Sequence, residues 1–296
     1  MDRFKPRFTI VDAPSVLGLH PGGVETLPQA LREAGLMSSL NAEDAGRVEP
    51  LPYELEHDKE TLVLNPKTIR KYSLYLERRV SQLLNNEQFP LVLGGDCSIL
   101  IGALLALRRT KRNYGLFFID GHADFYQPQA SPTGEVADMD LAIVSGRGPD
   151  ILTNIDGLKP LVRDEDVVVF GYRDAKQAAN FGSQDVRDTA MGVFDLPRIR
   201  ELKITEAASL AVRGLKQELD GFWIHLDADV LDDEIMPAVD YRLDGGLSFS
   251  ELSDLLRILF GSRRAVGMTI TIFNPCMDLD GSIARKLVSS IIAGVT

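Results

Sequence analysis

The sequence predicts an α/β protein whose doubly wound, mainly parallel sheet carries helices on both faces, and we expect residues 1–296 to form a single domain. Three observations support this fold class. Short apolar runs recur along the chain, as expected for strands that are buried on both faces. Segments with helical periodicity separate these runs, and such alternation is typical of parallel sheets. Most runs end in polar or glycine-rich residues, and in such sheets ligands bind beyond the carboxyl ends of the strands.

The predicted elements follow from two kinds of pattern. Apolar, β-branched or aromatic runs predict six strands, at residues 8–11, 90–93, 115–119, 166–170, 222–226 and 265–272. Apolar residues that recur every three or four positions predict six helices, at residues 27–34, 68–84, 99–107, 204–218, 249–260 and 281–292. Ser250 is the predicted N-cap of the fifth helix. The stretches 41–65 and 126–154 fit neither pattern, and loops of that length are commonly functional.

The composition narrows the class of function. Lys and Arg number 32 against 43 Asp and Glu, so the formal net charge is −11. This acidic balance argues against nucleic acid or an anionic membrane as a partner, and it suits a metal ion or a cationic substrate, or simply solubility. No run approaches the roughly 18 apolar residues of a membrane span. The charged N-terminus does not resemble a secretory leader, and the two cysteines lack metal-ribbon spacing. We therefore expect a cytoplasmic protein that acts on a small molecule.

Three predicted strands lead into unusual polar clusters. The first cluster, Gly94-Gly95-Asp96-Cys97-Ser98, lies between a strand and a helix. By itself it is typical of a tight turn in which Asp96 or Ser98 caps the helix. Its position at a strand end nevertheless places Cys97 at the edge of the sheet where ligands bind.

The second cluster places Asp120, His122 and Asp124 at alternate positions after an apolar strand. Alternate residues of an extended segment point to the same side, so the three side chains can converge. Two carboxylates and an imidazole are costly to bury together, because like charges repel and desolvation adds to the cost. A solvated loop is the competing interpretation, but a divalent cation accounts better for such a cluster beside a buried strand.

The third cluster, Asp227-Ala228-Asp229, again puts alternate carboxylates at the end of an apolar strand. His225 points to the same side, so it either contacts the site or supports a ligand. The two strand ends together supply four aspartates and one histidine, a hard, oxygen-rich set that favours Mn²⁺ over structural zinc. Bridging carboxylates can serve two ions, and two ions roughly 3.5–4 Å apart activate a water for hydrolysis.

In this order the motifs resemble those of the ureohydrolase superfamily, which includes arginase, agmatinase and formimidoylglutamase. Residues 94–98 are similar to the family's GGDHS, residues 120–124 to its DAHxD and residues 227–232 to its DxDxxD. The opening loop and first helix, a GxRD segment, a GGL turn and a terminal NP also have similar counterparts, at residues 18–36, 171–174, 245–247 and 274–275. The resemblance covers nearly the whole chain. It implies a doubly wound parallel fold and a binuclear manganese site that hydrolyses a guanidino or related C–N bond.

The resemblance also implies, position by position, the ligands of two divalent metal ions, most consistent with Mn²⁺. The ligands of one ion would be Cys97, Asp120, Asp124 and Asp227, and those of the other Asp120, His122, Asp227 and Asp229. Asp124 would accept a hydrogen bond from the bridging hydroxide as well. Family members form trimers or hexamers, so the resemblance further implies a homo-oligomer.

The chain departs from the family pattern at four positions. Cys97 replaces the His of GGDHS, as in a similar relative, the hydroxyarginine amidinohydrolase of cycloserine biosynthesis, so this change need not abolish catalysis. A thiolate there would raise the pKa of bound water and suit softer ions such as iron or zinc. Ala137 stands where arginase has its proton-shuttling His, and Ile272 where a Glu clamps the guanidinium. Tyr126 stands where an Asn contacts the amino acid end of arginine.

Other residues are candidates for the missing roles. Glu135 or the nearby Asp138 could supply a proton to the leaving amine, and the competing interpretation of Glu135 is a solvated loop charge. Thr133 lies where the family has a substrate-binding Ser, and Asp174 where it binds an amino group. The predicted substrate contacts are therefore Tyr126, Thr133 and Asp174. The predicted catalytic residues are Asp124 and Glu135.

Three residues outside the motifs have open interpretations. Arg242 binds a carboxylate of the substrate or pairs with Asp240 or Asp244. Cys276 is predicted to be a small buried residue rather than a nucleophile, because no His is near it in sequence. His20 is predicted to be solvated or to cap a turn, although it borders the glycine-rich opening loop and could approach the site.

Two functional hypotheses follow. The first is a metal-dependent amidinohydrolase of the ureohydrolase type, in which a metal-bridging hydroxide attacks a guanidino, hydroxyguanidino or amidino substrate other than plain arginine. It is motivated by the presence of the DxHxD and DxD ligands beside altered substrate contacts. The alternative is a catalytically inactive protein of the same fold with a metal-binding or regulatory role. It is motivated by the absence of the shuttle His at Ala137 and of the clamp Glu at Ile272.

Overall fold

One sheet of eight parallel strands runs through residues 6–296, the part of the chain that this computed structural model describes. The strands are β1 (Phe8–Ala13), β2 (Glu43–Arg47), β3 (Phe89–Gly94), β4 (Tyr114–Ile119), β5 (Val167–Phe170), β6 (Gly192–Phe194), β7 (Gly221–Asp227) and β8 (Ala265–Thr271). Their order across the sheet is β2-β1-β3-β8-β7-β4-β5-β6, and all neighbours are parallel. Sequence neighbours β3 and β4 are separated by β8 and β7, so the chain crosses the middle of the sheet between them.

The α-helices of the described residues cover both faces of this sheet. They are α1 (Leu27–Glu33), α2 (Leu36–Leu40), α3 (Pro66–Asn85), α4 (Ile99–Arg109), α5 (Asp140–Val144), α6 (Asp150–Thr153), α7 (Ala175–Asn180), α8 (Leu196–Leu202), α9 (Ile204–Gly214), α10 (Phe249–Gly261) and α11 (Ser282–Val295). This arrangement confirms the predicted doubly wound α/β class. None of the described helices has the length and apolar character that a membrane crossing needs.

The alternation of side chains along the central strands divides the core in two. In β7, Ile224 packs in the cluster that contains α10 and α11, whereas Trp223 packs in the cluster that contains α3 and α4. Both side chains are fully buried, and burial of one such side chain stabilises the fold by about 1.5–3 kcal/mol. His225 and Asp227 alternate with Ile224, so they point toward the α3–α4 face.

The six predicted strands and six predicted helices are all present, and most of their ends differ from the prediction by one to three residues. The strands β2 and β6 were not predicted. β2 lies at the edge of the sheet and is mostly exposed, so it has no apolar run to reveal it. The short helices α2 and α5 to α8 were also not predicted, and α5 and α6 lie within the stretch 126–154 that resembled a loop.

The predicted N-cap of α10 is wrong by two residues. Ser248, not Ser250, caps this helix, because its side chain accepts a hydrogen bond from the amide of Glu251. The Glu251 carboxylate accepts in turn from the amide of Ser248 at 2.8 Å. This reciprocal pair is a capping box, and it satisfies two amides that the helix itself leaves without partners.

Candidate metal centre

The candidate site lies where the carboxyl ends of adjacent parallel strands meet. The order β3-β8-β7-β4 brings the three polar clusters of the sequence to one edge of the sheet. This edge is where the chain crosses from one half of the sheet to the other, the usual place for a ligand site in open α/β sheets. The six predicted metal ligands all lie here: Cys97, Asp120, His122, Asp124, Asp227 and Asp229.

Cys97 reaches the site through a sharp turn after β3. A Cβ on Gly95 would lie 1.8 Å from the carbonyl oxygen of Ser15, so only glycine fits at this turn. The Cys97 Sγ lies 2.9 Å from Asp227 Oδ2 and 3.2 Å from Thr271 Oγ1. Burial and the neighbouring carboxylates raise the pKa of Cys97 well above its usual range. The sulfur is therefore a thiol that releases its proton only when a cation binds.

The loop after β4 turns Asp120, His122 and Asp124 toward one another. The His122 amide donates a 2.7 Å hydrogen bond to Asp120 Oδ1, and His122 Nδ1 lies 2.9 Å from Asp229 Oδ2. Asp124 has a positive φ of 43°, a left-handed conformation that costs free energy and is concentrated at functional sites. Ligand atoms of Asp120, His122 and Asp124 lie within 4.8 Å of one another.

Backbone amides orient the two carboxylates that follow β7. The Asp229 amide donates to Asp227 Oδ1 at 2.8 Å, and the Gly121 amide donates to Asp229 Oδ1 at 3.0 Å. A Cβ on Gly121 would lie 2.7 Å from the Asp229 carbonyl oxygen, so the two loops approach closely because this position is glycine. Each carboxylate thereby keeps its second oxygen for a partner in the site, Cys97 for Asp227 and His122 for Asp229.

The carboxylates repel one another when no cation is present. Burial and neighbouring carboxylates raise the pKa of Asp120 to about 7, and they hold the pKa values of Asp124 and Asp227 well above the usual range. Burial acts on Asp229 in the same direction, but the charge of His122 outweighs it and lowers the pKa of Asp229. The site therefore disfavours the full set of negative charges, and a divalent cation would remove that penalty.

The donor set fits a divalent metal ion. Cys97, Asp120, His225 and Asp227 are all buried, and their ligand atoms lie within 4.8 Å of one another. The Oδ2 atom of Asp120 is buried and has no hydrogen-bond partner among the described residues. A buried carboxylate oxygen without a donor is costly, so this atom is suited to bind a cation.

A narrow cavity leads to these ligands. Tyr126 and Thr133, two of the predicted substrate contacts, line it, and so do Ala137 and Ile272. Ile272 has a positive φ of 69°, which is unusual for a β-branched residue, and its amide donates to the Gly95 carbonyl at 2.9 Å. The wall at Ile272 is therefore apolar and fixed in place by the turn that carries Cys97.

Glu135 lines the same cavity and connects it to a partly exposed histidine. Glu135 is buried, and its Oε2 accepts a 2.6 Å hydrogen bond from the Tyr241 hydroxyl. Its Oε1 lies 3.2 Å from Nδ1 of His20, whose side chain is 47% exposed. The interpretation of Glu135 as a solvated loop charge is therefore wrong, because the side chain is enclosed by its partners.

Comparisons with known proteins agree with this geometry. The model of the Arginase family matches residues 7–295. The arginase of Staphylococcus aureus (strain COL) is 31% identical over 290 residues, which cover 95% of this chain and 94% of that protein. The arginase of Brevibacillus brevis is 32% identical over 293 residues, which cover 95% of each chain. The chain belongs to the arginase family.

Solved structures of the arginase family have the same fold. The arginase of Bacillus caldovelox superimposes with a TM-score of 0.89 at 27% identity, and the match covers 98% of each chain. The proclavaminate amidino hydrolase of Streptomyces clavuligerus has a TM-score of 0.69 at 20% identity, over 98% of this chain and 92% of that one, which shows a shared fold. These findings confirm the predicted superfamily, and with it the predicted class of enzyme, a hydrolase of the ureohydrolase type.

Three residues of this arginase-family chain have surroundings that the sequence did not show. Asp174 lines a second cavity beside Tyr126, and its Oδ1 accepts a hydrogen bond from the Ala123 amide in the ligand loop. Arg242 forms an ion pair with Asp233, so the predicted pairing with Asp240 or Asp244 is wrong. The prediction that Cys276 is buried is also wrong, because it lies exposed in a short turn after β8.

A buried acid beside the arginase-family site was not predicted from the sequence. Asp140 begins α5 and is fully buried, and its Oδ2 lies 4.0 Å from Nε2 of His225. Burial raises the pKa of Asp140 well above its usual range, and it lowers the pKa of His225 to about 3, which favours the neutral imidazole. The position of His225 two residues before Asp227 was a usable signal, whereas Asp140 lies in a stretch without periodicity and gave none.

Proposed function

We propose that the chain is a binuclear metal-dependent hydrolase of a C–N bond in a guanidino, hydroxyguanidino or amidino substrate other than plain arginine. The observation that carries this proposal is that five of the six ligand residues line one cavity, and that a ligand atom of the sixth, Asp120, lies within 4.8 Å of ligand atoms of the others in its two clusters. Arginase-family membership supplies the class of reaction. A substrate other than arginine is inferred from four departures from the family pattern, at Cys97, Tyr126, Ala137 and Ile272.

The proposed ligands divide into two sets that share Asp120 and Asp227. The inner position is bound by Cys97, Asp120, Asp124 and Asp227, and the outer position by Asp120, His122, Asp227 and Asp229. The oxygen-rich character of both sets favours Mn²⁺. Two such ions, when bound, supply Lewis acidity and lower the pKa of a water between them. Asp124 lines the cavity and would accept a hydrogen bond from the attacking nucleophile.

Glu135 is the proposed proton donor to the leaving amine. It lines the cavity, and its contact with His20 gives it a path to solvent by which it can be reprotonated after each turnover. The position of a proton-transferring group must be within hydrogen-bond reach of the leaving nitrogen, directly or through one water. The hydroxyl of Tyr241 fixes the other oxygen of Glu135 and so orients the carboxyl group.

The walls of the cavity favour a substrate that carries less charge than arginine. Ile272 puts an apolar side chain where a guanidinium would need a carboxylate, and a buried cation without a partner is costly. A hydroxyguanidine is less basic and needs no such partner. Tyr126 and Thr133 are the proposed contacts to the rest of the substrate, and Asp174 meets only a substrate long enough to extend past Tyr126.

Ile272→Glu is expected to shift the preference of the enzyme toward cationic guanidines. We expect kcat/KM for arginine to rise at least about tenfold relative to that for a hydroxyguanidine, since charge-assisted hydrogen bonds contribute about 1.5–3 kcal/mol. Steady-state kinetics with both substrates measure the ratio. Ile272→Gln is the matched control, because it has the same size and no charge. Equal changes in the ratio for both variants would contradict the role of the missing carboxylate.

Metal content and turnover together test the proposed function. Protein purified without chelator and loaded with Mn²⁺ is expected to contain two ions per chain by elemental analysis. It is expected to release urea or ammonia from a panel of hydroxyguanidines, guanidines, amidines and formimidoyl compounds. Arginine belongs to the panel, and if it is the best substrate the proposed specificity is wrong. Bound metal with no release from any compound would favour the inactive, metal-binding alternative.

We also infer a cytoplasmic homo-oligomer. Neither Cys97 nor Cys276 is in a disulfide, which suits a reducing compartment. The oligomer is a prediction from the family resemblance alone, and light scattering of the purified protein tests it directly.

A further inference from the structure

His225 is the buried side chain at the site for which the proposed ligand sets have no role. It lies on β7, its residue is 0% exposed, and its ring stacks on Phe118 with 4.9 Å between ring centroids. The stacking and the neighbouring strand β8 fix the plane of the ring. Asp227, a proposed metal ligand, lies two residues further along the same strand. The two side chains therefore point to the same face of the sheet and are neighbours on it.

The hydrogen bonds of His225 leave one ring nitrogen free. Nδ1 lies 2.8 Å from Oγ1 of Thr269. The hydroxyl of Thr269 donates its single proton to the Ile224 carbonyl and also accepts from the indole of Trp223. If the Thr269 proton points to the Ile224 carbonyl, 3.5 Å away, Thr269 accepts from Nδ1–H, and we therefore place the proton of the neutral imidazole on Nδ1 as part of this inference. Nε2 carries the lone pair, and it has no hydrogen-bond partner among the described residues.

His225 belongs to the same cluster as three of the proposed inner ligands. A nitrogen of His225, the sulfur of Cys97 and oxygens of Asp120 and Asp227 lie within 4.8 Å of one another. Oδ2 of Asp120 is unpartnered as well, so two buried atoms with lone pairs are present in one cluster without donors. Asp140 does not satisfy His225, since its Oδ2 is 4.0 Å from Nε2 and this exceeds hydrogen-bond distance.

We infer that His225 is a further ligand of the inner metal ion, through Nε2, beside Cys97, Asp120, Asp124 and Asp227. This inference rests on the proposed metal-dependent function. It would give the inner position an imidazole ligand from β7. Asp124 stays a proposed ligand of the inner ion, and its ligand atom also lies within 4.8 Å of those of Asp120 and His122.

The resulting donor set changes the preferred metal of the inner position. One thiolate and one imidazole beside the carboxylates make the inner set softer and better suited to zinc or iron, whereas the outer position has mainly oxygen ligands. We therefore expect the two positions to differ in metal preference, with the softer ion inside. The hydrogen bond from Nδ1 to Thr269 is the kind of contact that orients a histidine ligand.

NMR of the full-length protein with ¹⁵N-labelled histidine and ¹¹³Cd²⁺ tests this ligand directly. The chain has only four histidines, so single substitutions assign each imidazole. Before metal is added, His225 is expected to be protonated at Nδ1 and not at Nε2. After ¹¹³Cd²⁺ is added, a one-bond coupling between ¹¹³Cd and Nε2 of His225 is expected. The coupling reports ligation without any requirement for turnover.

Two variants separate ligation from packing. His225→Asn keeps an amide near Thr269 and removes the atom at the position of Nε2. We expect it to lower the affinity of the tighter-binding ¹¹³Cd²⁺ site at least about 100-fold, because even residues that only support a metal ligand contribute 10- to 100-fold to affinity. His225→Gln places an oxygen near the position of Nε2 and is expected to lose less affinity. Near-UV circular dichroism of both variants without metal checks that the fold is intact.

The outcomes distinguish this inference from the function on which it rests. Coupling to Nε2 of His225 supports the inference. Cadmium that binds with coupling to His122 alone overturns it and leaves the proposed metal-dependent function standing. A folded protein that binds no cadmium at either position overturns both.

Discussion

Asp227→Asn is expected to remove both metal ions and to abolish hydrolysis. Asp227 is shared by the inner and outer positions, and its Oδ2 is the atom that faces Cys97. Loss of the Lewis acid costs several kcal/mol of transition-state stabilisation, so kcat/KM is expected to fall at least about 10³-fold. Elemental analysis and steady-state kinetics measure the two losses. Thermal unfolding gives a third readout, because Mn²⁺ at 100 times its Kd stabilises the wild type by about 2.7 kcal/mol per site and should not stabilise the variant.

A misfolded variant would also lose metal and activity, so we chose asparagine, which has the same shape as aspartate and should leave the fold intact. An amide at position 227 keeps the oxygen that accepts from the Asp229 amide and removes one charge from a crowded set of carboxylates. The metal-free variant is therefore expected to unfold at the same temperature as metal-free wild type, or higher. Asp233→Asn is the matched control, because Asp233 follows the same strand but pairs with Arg242. A variant at position 227 that retains two ions would contradict the proposed ligand set.

The sequence predicts the central part of the fold because the central strands are buried on both faces. β3, β4 and β7 are continuous apolar runs, and each was found within one residue of its true ends. β2 has the sequence EDAGR at an exposed edge and resembles a loop, because only backbone pairing with β1 makes it a strand. The cap of α10 was misplaced because Ser248 and Ser250 are equally good caps in sequence, and only the reciprocal bond with Glu251 separates them.

The sequence predicts the site residues that lie at strand ends. It does not predict contacts between residues that are far apart in the sequence. Asp120 and Asp227 come directly after or at the end of parallel strands, so their approach follows from the fold class. The contacts of Glu135 with His20 and Tyr241 join residues more than 100 positions apart, and nothing in the local sequence indicates them. Asp140 and His225 are 85 positions apart, and their approach to 4.0 Å is equally hidden in the local sequence. Such contacts depend on the path of whole loops across the sheet edge.

Glu135→Gln is expected to lower kcat about 10²- to 10⁴-fold, the usual contribution of a general acid, while the metal content stays at two ions per chain. Among the described residues, the hydrogen bonds of the Glu135 carboxylate go to His20 and Tyr241 and not to a proposed metal ligand, so an effect on kcat without loss of metal reports proton transfer rather than assembly of the site. The glutamine keeps an oxygen that can accept from the Tyr241 hydroxyl, so the cavity wall should be preserved. His20→Gln is expected to give a smaller loss that exogenous imidazole buffer partly restores, because His20 only carries the proton to and from solvent.

Asp138 is the alternative proton donor, so the kinetics of Asp138→Asn and Glu135→Gln must be compared. It lines the same cavity, burial raises its pKa to about 7, and its Oδ1 has no partner among the described residues. A group with that pKa is well matched to acid catalysis near neutral pH. Its Oδ2, however, accepts a 2.6 Å hydrogen bond from Ser131, so the carboxyl group holds the loop that carries Thr133. We therefore expect Asp138→Asn to alter KM more than kcat. If kcat instead falls 100-fold or more in Asp138→Asn and hardly changes in Glu135→Gln, the proton comes from Asp138 and the path through His20 has no part in the reaction.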